Sequence, residues 1–336
     1  MARKPRLEYA GAIYHVMSRG DHSEAVFRTD DDRLSFLATL GEVCARTGWH
    51  IHAYVLVGNH YHLLVETPEP NLVAGMQWLQ GTYTKRFNAR HRLWGHLFSG
   101  RYKSIPVEPT PDYFLAVADY IHLNPVWVRG YRFETAKLAD FAWSSYPEYL
   151  VPAKRHGWLC VQRVMGDLGL SDTHSGRQRL AQYMETRIQS LRQAKKPWEA
   201  DERWKTIRRG WHLGGETFTS EMLDRVAGVI SQDHGTPFGG AVIQAHDAQR
   251  AEQLVKAGIA KLRLEESDLE NMPGCRPEKY ALAWLVRRNT SVKLEWIKRR
   301  LHMGRATDFS AWLKKLESSR PGEWGHTCYV RIRNMD

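Results

Sequence analysis

Strand-like and helix-like stretches alternate through the first ~150 residues, and the strand-like ones then stop. Ala12 to Arg19 reads as a strand. Asp30, Asp31 and Asp32 offer N-cap oxygens and first-turn charge to a helix with Leu34, Leu37 and Leu40 on its apolar face, and Gly48 is its stop. Trp49 to Val57 and Asn59 to Glu66 read as two strands joined by a Gly58-Asn59 turn. Asn71 to Phe87 reads as a second helix and Lys103 to Val107 as a fourth strand. Thr110, Pro111 and Asp112 open a third helix as N-cap, first helical residue and dipole-facing acid. It runs to about Asn124, where Pro125 ends it. The simplest α+β fold with this order is the ferredoxin-like βαββαβ arrangement, an antiparallel sheet with helices on one face.

The remainder reads as mainly helical. Arg177 to Ala194 is helical, and Lys195-Lys196-Pro197 breaks it. Glycines bound a connector at 210–215, and Gly235 to Gly240 is a loop. The expected organisation is an α+β domain over 1–150, a helical connector over 151–215 and a helical module over 216–336. Within that module, about 280–316 fits a helix-turn-helix. Thr290 and Ser291 cap a helix with Leu294, Ile297 and Leu301 in its stripe, Met303-Gly304 turns, and Arg305 to Leu316 forms the second helix. Arg287, Arg288, Lys293, Lys298, Arg299, Arg300 and Arg305 have only Glu295 as a nearby acid. Such a footprint suits duplex or hairpin phosphates, and a helical bundle with a solvated basic face is the alternative.

Charge points the same way. Lys and Arg number 48 against 37 Asp and Glu, a net charge of +11, which makes nucleic acid the first partner class. Apolar runs such as Tyr54 to Val57 are too short to span a bilayer, so no membrane association is expected. The basic start, Met1 to Arg6, is not followed by an apolar stretch, so no secretory leader is expected. Cys44, Cys160, Cys275 and Cys328 are scattered, which fits reduced thiols in a cytosolic protein and no zinc knuckle. No GxxxxGK[ST] pattern occurs, so no nucleotide cofactor is expected.

The chemistry concentrates in two places. In a strand, His60 and His62 project from one face while Tyr61 points away. Two imidazoles so placed can hold a divalent cation if a further ligand joins them; two polar residues on an exposed sheet face is the plainer reading. Glu66 shares that face, and Asn59 precedes the pair. On the third helix, Tyr113, Val117, Tyr120 and Asn124 fall on one face, and Tyr120 and Asn124 are one turn apart. A phenol and an amide oxygen could be presented together to one metal, with Asn124 as third ligand and Tyr120 as nucleophile. An ordinary half-buried stripe is the alternative.

Gly58-Asn59-His60-Tyr61-His62-Leu63-Leu64-Val65 resembles the HUH segment of single-tyrosine transposases, and Asp119-Tyr120-Ile121-His122-Leu123-Asn124-Pro125-Val126 resembles their nucleophile helix. Tyr14 to Gly20 and His96 to Ser104 resemble two further motifs, in the same order. Over residues 7 to 150 the chain is thus similar to the REP-associated tyrosine transposases. The resemblance implies His60 and His62 as metal ligands and Tyr120 as the attacking group. Asn124 stands where insertion-sequence relatives carry glutamine, and Gly58 where many members carry proline. Tyr113 is the competing tyrosine, with Val117 in place of an asparagine one turn on.

The resemblance further implies a metal-dependent nuclease and strand transferase that acts on single-stranded DNA folded as hairpins. Its intermediate is a 5′-phosphotyrosine with a free 3′-OH. Two imidazoles and an oxygen suit Mn²⁺ or Mg²⁺. Arg19, Arg101, Tyr102 and Lys103 are candidate phosphate or stacking contacts, and Gly20 would allow close backbone approach. Insertion-sequence relatives are dimers with the tyrosine supplied in trans, whereas the long C-terminal part favours a monomer, so monomer and homodimer both stand. A cytoplasmic, nucleoid-associated location follows. Two other functions remain: a non-catalytic hairpin-binding regulator, and a water-using hydrolase with Glu66 as base.

Overall fold

A computed structural model describes residues 6–127, 132, 135–194, 199, 201–232, 240–290, 292–304 and 309–335. They divide into two compact units, Arg6–Met222 and the stretch from Leu223 onward.

The first unit opens β1 (Ala12–Arg19), α1 (Asp30–Thr47), β2 (His50–Val57), β3 (His60–Thr67), α2 (Leu72–His91), β4 (Lys103–Val107) and α3 (Pro111–His122). The sheet order is β2-β3-β1-β4 with every pair antiparallel, the ferredoxin-like arrangement that the alternation of signals predicts. Among the described residues no strand follows β4.

Local chemistry sets the ends. Thr29, not an aspartate, is the N-cap of α1: its hydroxyl accepts from Asp32 N–H, and the Asp32 carboxylate accepts from Thr29 N–H at 3.0 Å. Asp32 is wholly buried and also accepts from Arg90 (3.0 Å) and His91 (2.9 Å), which ties α1 to α2. That tie, with His91 packed on Phe87, carries α2 four residues past the expected end. The apolar stripe of α1 is Phe36, Leu37, Leu40, Val43 and Cys44, while Leu34 faces solvent, being too far round the helix to join it. Gly48 ends α1 at φ 70°, as expected of a glycine stop.

The two faces of the sheet differ. Tyr61 turns to α1 and α2, with its ring against Phe36 and its hydroxyl accepting from Gln80 Nε2 at 2.9 Å. His15, His52 and His62 turn to α3, where they meet Tyr120 and Phe114.

Next come α4 (Tyr146–Leu150), α5 (Gln162–Asp167), α6 (His174–Gln193) and α7 (Arg203–Arg209). The stretch read as a connector therefore lies largely within the first unit, and it braces α3. Asp119 is buried, accepts from Tyr183 Oη at 2.5 Å and pairs with Arg187 at 2.9 Å. Trp204, wholly buried, donates from Nε1 to Ala116 O at 3.0 Å.

After α8 (Glu216–Gln232) the second unit holds α9 (Gly240–Leu262), α10 (Glu266–Asn271), α11 (Pro277–Asn289), α12 (Leu294–Arg300), α13 (Phe309–Glu317) and α14 (His326–Ile332). Its core centres on α11, whose residues Tyr280 to Val286 are all buried. Thr290 closes α11, its N–H and hydroxyl both donating to Val286 O, so the next helix starts at Leu294 and not at Thr290. Gly304 turns at φ 62°. Arg305 and the loop 235–239 lie outside the described residues. No described helix is long and apolar enough to cross a membrane.

Candidate active site

Strand register builds the floor of the site. Arg19 lies opposite His60, and Met17 lies between His62 and Lys103 on its two neighbours. Directly opposed residues share a face. Tyr120 of α3 and Ser99 and Arg101 of the loop before β4 complete a cavity of about 420 Å³. Its charged lining residues, Arg19, Arg101 and Lys103, are all basic.

Three rings converge inside. Tyr120 stands edge-on to His62, with centroids 5.5 Å apart, and edge-on to His15 at 5.7 Å. His60 and His62 are 5.1 Å apart. Trp204 backs Tyr120 from behind at 5.7 Å. Each motif histidine has its Nδ1 engaged: His60 with Asn59 Oδ1 at 2.7 Å, His62 with His15 Nε2 at 2.8 Å. Such outer partners orient imidazole ligands and leave Nε2 as the coordinating atom. The donor set thus fits a divalent cation at two nitrogens. Among the described residues no group of three or more His, Cys, Asp or Glu is arranged to hold a metal, so oxygen ligands of another kind would complete the shell.

His15 is the residue that sequence reasoning missed. It lies in the Tyr14 to Gly20 motif, two residues before Met17 on the same strand face. Burial lowers it to about 3, helped by Lys103. Burial, then Arg19, lowers His60 to about 4. Both are neutral at pH 7, the state in which imidazole binds metal.

The other expected residues separate. Tyr113 lines a different cavity with Arg203, His212 and Gly214, one that His60 and His62 do not line. Asn124 is buried at the head of a 3₁₀ turn and is not among the lining residues. The helical register that would set it one turn past Tyr120 ends at His122. Glu66 pairs with His52 (2.9 Å) and Arg163 (3.1 Å) opposite Ile13, far along β3 from His60. Those partners hold its carboxylate below the usual range. Tyr102 is buried between two lining residues under the Arg6 guanidinium, and burial pushes its phenol up to about 12. Gly20 is required by its own turn: a Cβ there would sit 2.1 Å from Glu24 O.

In the second unit Arg287 and Arg288 are exposed and line a cavity of about 420 Å³ with Trp284 and Lys314. Arg299 is exposed, and Lys298 lies over Phe309. Arg300 is held by Glu252 at 2.7 Å and also by Glu266, acids distant in sequence.

Burial lowers His122 to about 3, like His15, and the unfolded chain titrates both near 6.5. The stability these rings contribute is present above pH 6.5 and lost as pH falls toward 3, by about 1.4 kcal/mol per pH unit for each. Asp119, raised by burial to about 6 against the pull of Arg187, acts in the opposite sense between pH 6 and 4. One acid offsets at most one of the two histidines. The expected result is a calorimetric midpoint of the cation-free protein that falls steadily from pH 6.5 to 4; a flat midpoint would contradict the burial.

Residues 8–124 match the family model described as IS200-like transposase. This part of the chain is similar to the IS200-like transposases. The match starts just before β1, ends at Asn124, and takes in His15, His60, His62 and Tyr120. A solved structure of a REP-associated tyrosine transposase bound to a REP hairpin is similar over 48% of this chain and 92% of that one. Sequence identity there is 17% and the TM-score 0.37. No curated protein matches the chain.

Proposed function

We propose that the protein is a metal-dependent single-stranded DNA endonuclease and strand transferase acting on palindromic, REP-like hairpins in the cytoplasm, at the nucleoid. The observation that carries this reading is the placement of Tyr120 against His62 in a cavity whose charged lining residues are all basic. Its oxygen attacks a backbone phosphorus, the bond to the 3′ oxygen breaks, and a 5′-phosphotyrosine and a 3′-OH result. Arg19, Arg101 and Lys103 hold the strand by its phosphates. His60 and His62 would hold a Mg²⁺ or Mn²⁺ ion, with Asn124 or water as a further oxygen ligand, and the bound ion would supply charge neutralisation at the phosphate and ease loss of the phenol proton. Tyr120 lies beside the histidines of its own chain, which supports a monomer acting in cis.

The hairpin stem is assigned to the second unit, through a helix-turn-helix of α12 and α13 together with the end of α11, with Arg287, Arg288, Lys298, Arg299 and Arg305 on phosphates. Arg300 is the weakest of the basic set, since two carboxylates already hold it. Removing Arg287 and Arg288 together should lower the salt dependence of hairpin binding by about two phosphate contacts' worth. An unchanged slope in a salt titration would remove them from the interface.

The deciding experiment incubates the protein with labelled hairpin DNA and Mn²⁺, then seeks a denaturant-resistant protein–DNA species that chelator prevents. Binding without such a species would favour the regulator instead.

A further inference from the structure

The loop between α2 and β4 carries an indole that the fold does not use. Leu93 and Leu97 pack against the core of the first unit and Phe98 is buried, yet Trp94 is 92% exposed. The loop is not frayed. Asn88 Nδ2 donates to Gly95 O (3.0 Å), Asp21 N–H to Leu97 O (3.0 Å) and Ser99 N–H to Arg19 O (2.9 Å). Arg92 and Gly95, both at positive φ, fix the turn on either side. Trp94 is therefore held out into solvent on a pinned segment.

Its surroundings are basic and not apolar. Residues 70–107 contain no Asp or Glu, and Arg92, His96 and Arg101 are exposed along the loop. The same loop supplies Ser99 and Arg101 to the catalytic cavity. Ser99 is five steps along the chain from Trp94, so the two lie within about 18 Å of each other. An aromatic plane among cations that track a backbone is the arrangement that holds unpaired bases. A protein partner would instead call for exposed apolar neighbours, and in this loop the residues beside Trp94 are Leu93, which packs inward, and Gly95.

We propose that Trp94 is a stacking platform for an unpaired base of the DNA strand whose phosphates cross Arg101 at the cavity. This rests on the reading that single-stranded DNA enters that cavity.

The test compares wild type, Trp94→Ala and Trp94→Phe by fluorescence anisotropy at fixed salt. The probes are one hairpin carrying an oligothymidine tail and the same hairpin blunt-ended. Trp94→Ala should bind the tailed probe about 5- to 100-fold more weakly and the blunt probe unchanged, and Trp94→Phe should keep most of the affinity. Trp94 is exposed and supports no packing, so the variants should fold normally, and an unchanged melting midpoint checks this. Equal affinity of Trp94→Ala for the tailed probe, equal loss on both probes, or a changed oligomeric state by sedimentation as the sole effect would each overturn the proposal. The covalent adduct is scored separately. An adduct with normal Trp94→Ala binding sinks the platform and leaves the nuclease standing. Weakened tail binding with no wild-type adduct does the reverse. A wild type that ignores the tail sinks both.

Discussion

Tyr120→Phe is expected to abolish the covalent DNA adduct, by about 10³-fold or more, while Tyr113→Phe leaves it intact. Phenylalanine removes one hydroxyl and keeps the ring, so the edge contacts to His15, His62 and Trp204 survive. The loss of stability should be about 1 kcal/mol, that of a single hydrogen bond. Hairpin affinity should be retained, because the phosphate-facing cations are untouched. Mass spectrometry of the digested adduct reads the attached tyrosine directly. An adduct that persists in Tyr120→Phe moves the nucleophile elsewhere. Tyr113 is a poor substitute, since it opens to a cavity that His60 and His62 do not line. The same variants test the cis arrangement. Mixing Tyr120→Phe with His62→Ala restores adduct only if one chain lends its tyrosine to another. No restoration is expected, because one chain already brings both groups together.

The sheet was legible in the sequence because a short, largely apolar run is a local signal: Ala12 to Arg19 and Lys103 to Val107 begin and end where it was expected. The separation of Tyr61 from His60 and His62 followed from the alternation of side chains along a strand. What could not be read depends on contacts distant in sequence. His15 meets His62 across 47 residues, through a register that neither strand encodes alone. Trp204 reaches α3 from 88 residues away. Arg300 looked like a free cation because its nearest acid in sequence is Glu295, whereas the acids that hold it are Glu252 and Glu266. The end of α2 was missed because its last turn is polar, and its anchor, Asp32, belongs to another helix. Asn124 lies two residues past the end of α3, at the start of a 3₁₀ turn.

His15 carries the second large expectation. For His62 to coordinate through Nε2, its proton must sit on Nδ1 and be donated to His15 Nε2, 2.8 Å away. His15 must then carry its own proton on Nδ1, a buried atom with no partner among the described residues. The opposite tautomer satisfies the pair equally well, but it puts the His62 proton on the coordinating atom. Cation binding therefore selects one of two arrangements, and His15 is the acceptor that makes the selected one tolerable. His15→Ala leaves the Nδ1–H of a cation-bound His62 buried without an acceptor. Mn²⁺ affinity, measured by electron paramagnetic resonance without DNA, should fall about 10- to 100-fold. His15→Gln, whose amide oxygen can accept the same proton, should recover much of it, which a purely space-filling role would not predict. Unchanged Mn²⁺ affinity in a folded His15→Ala protein would show that His62 does not hold the cation through Nε2. The nearly parallel stacking of the two rings would then be packing alone.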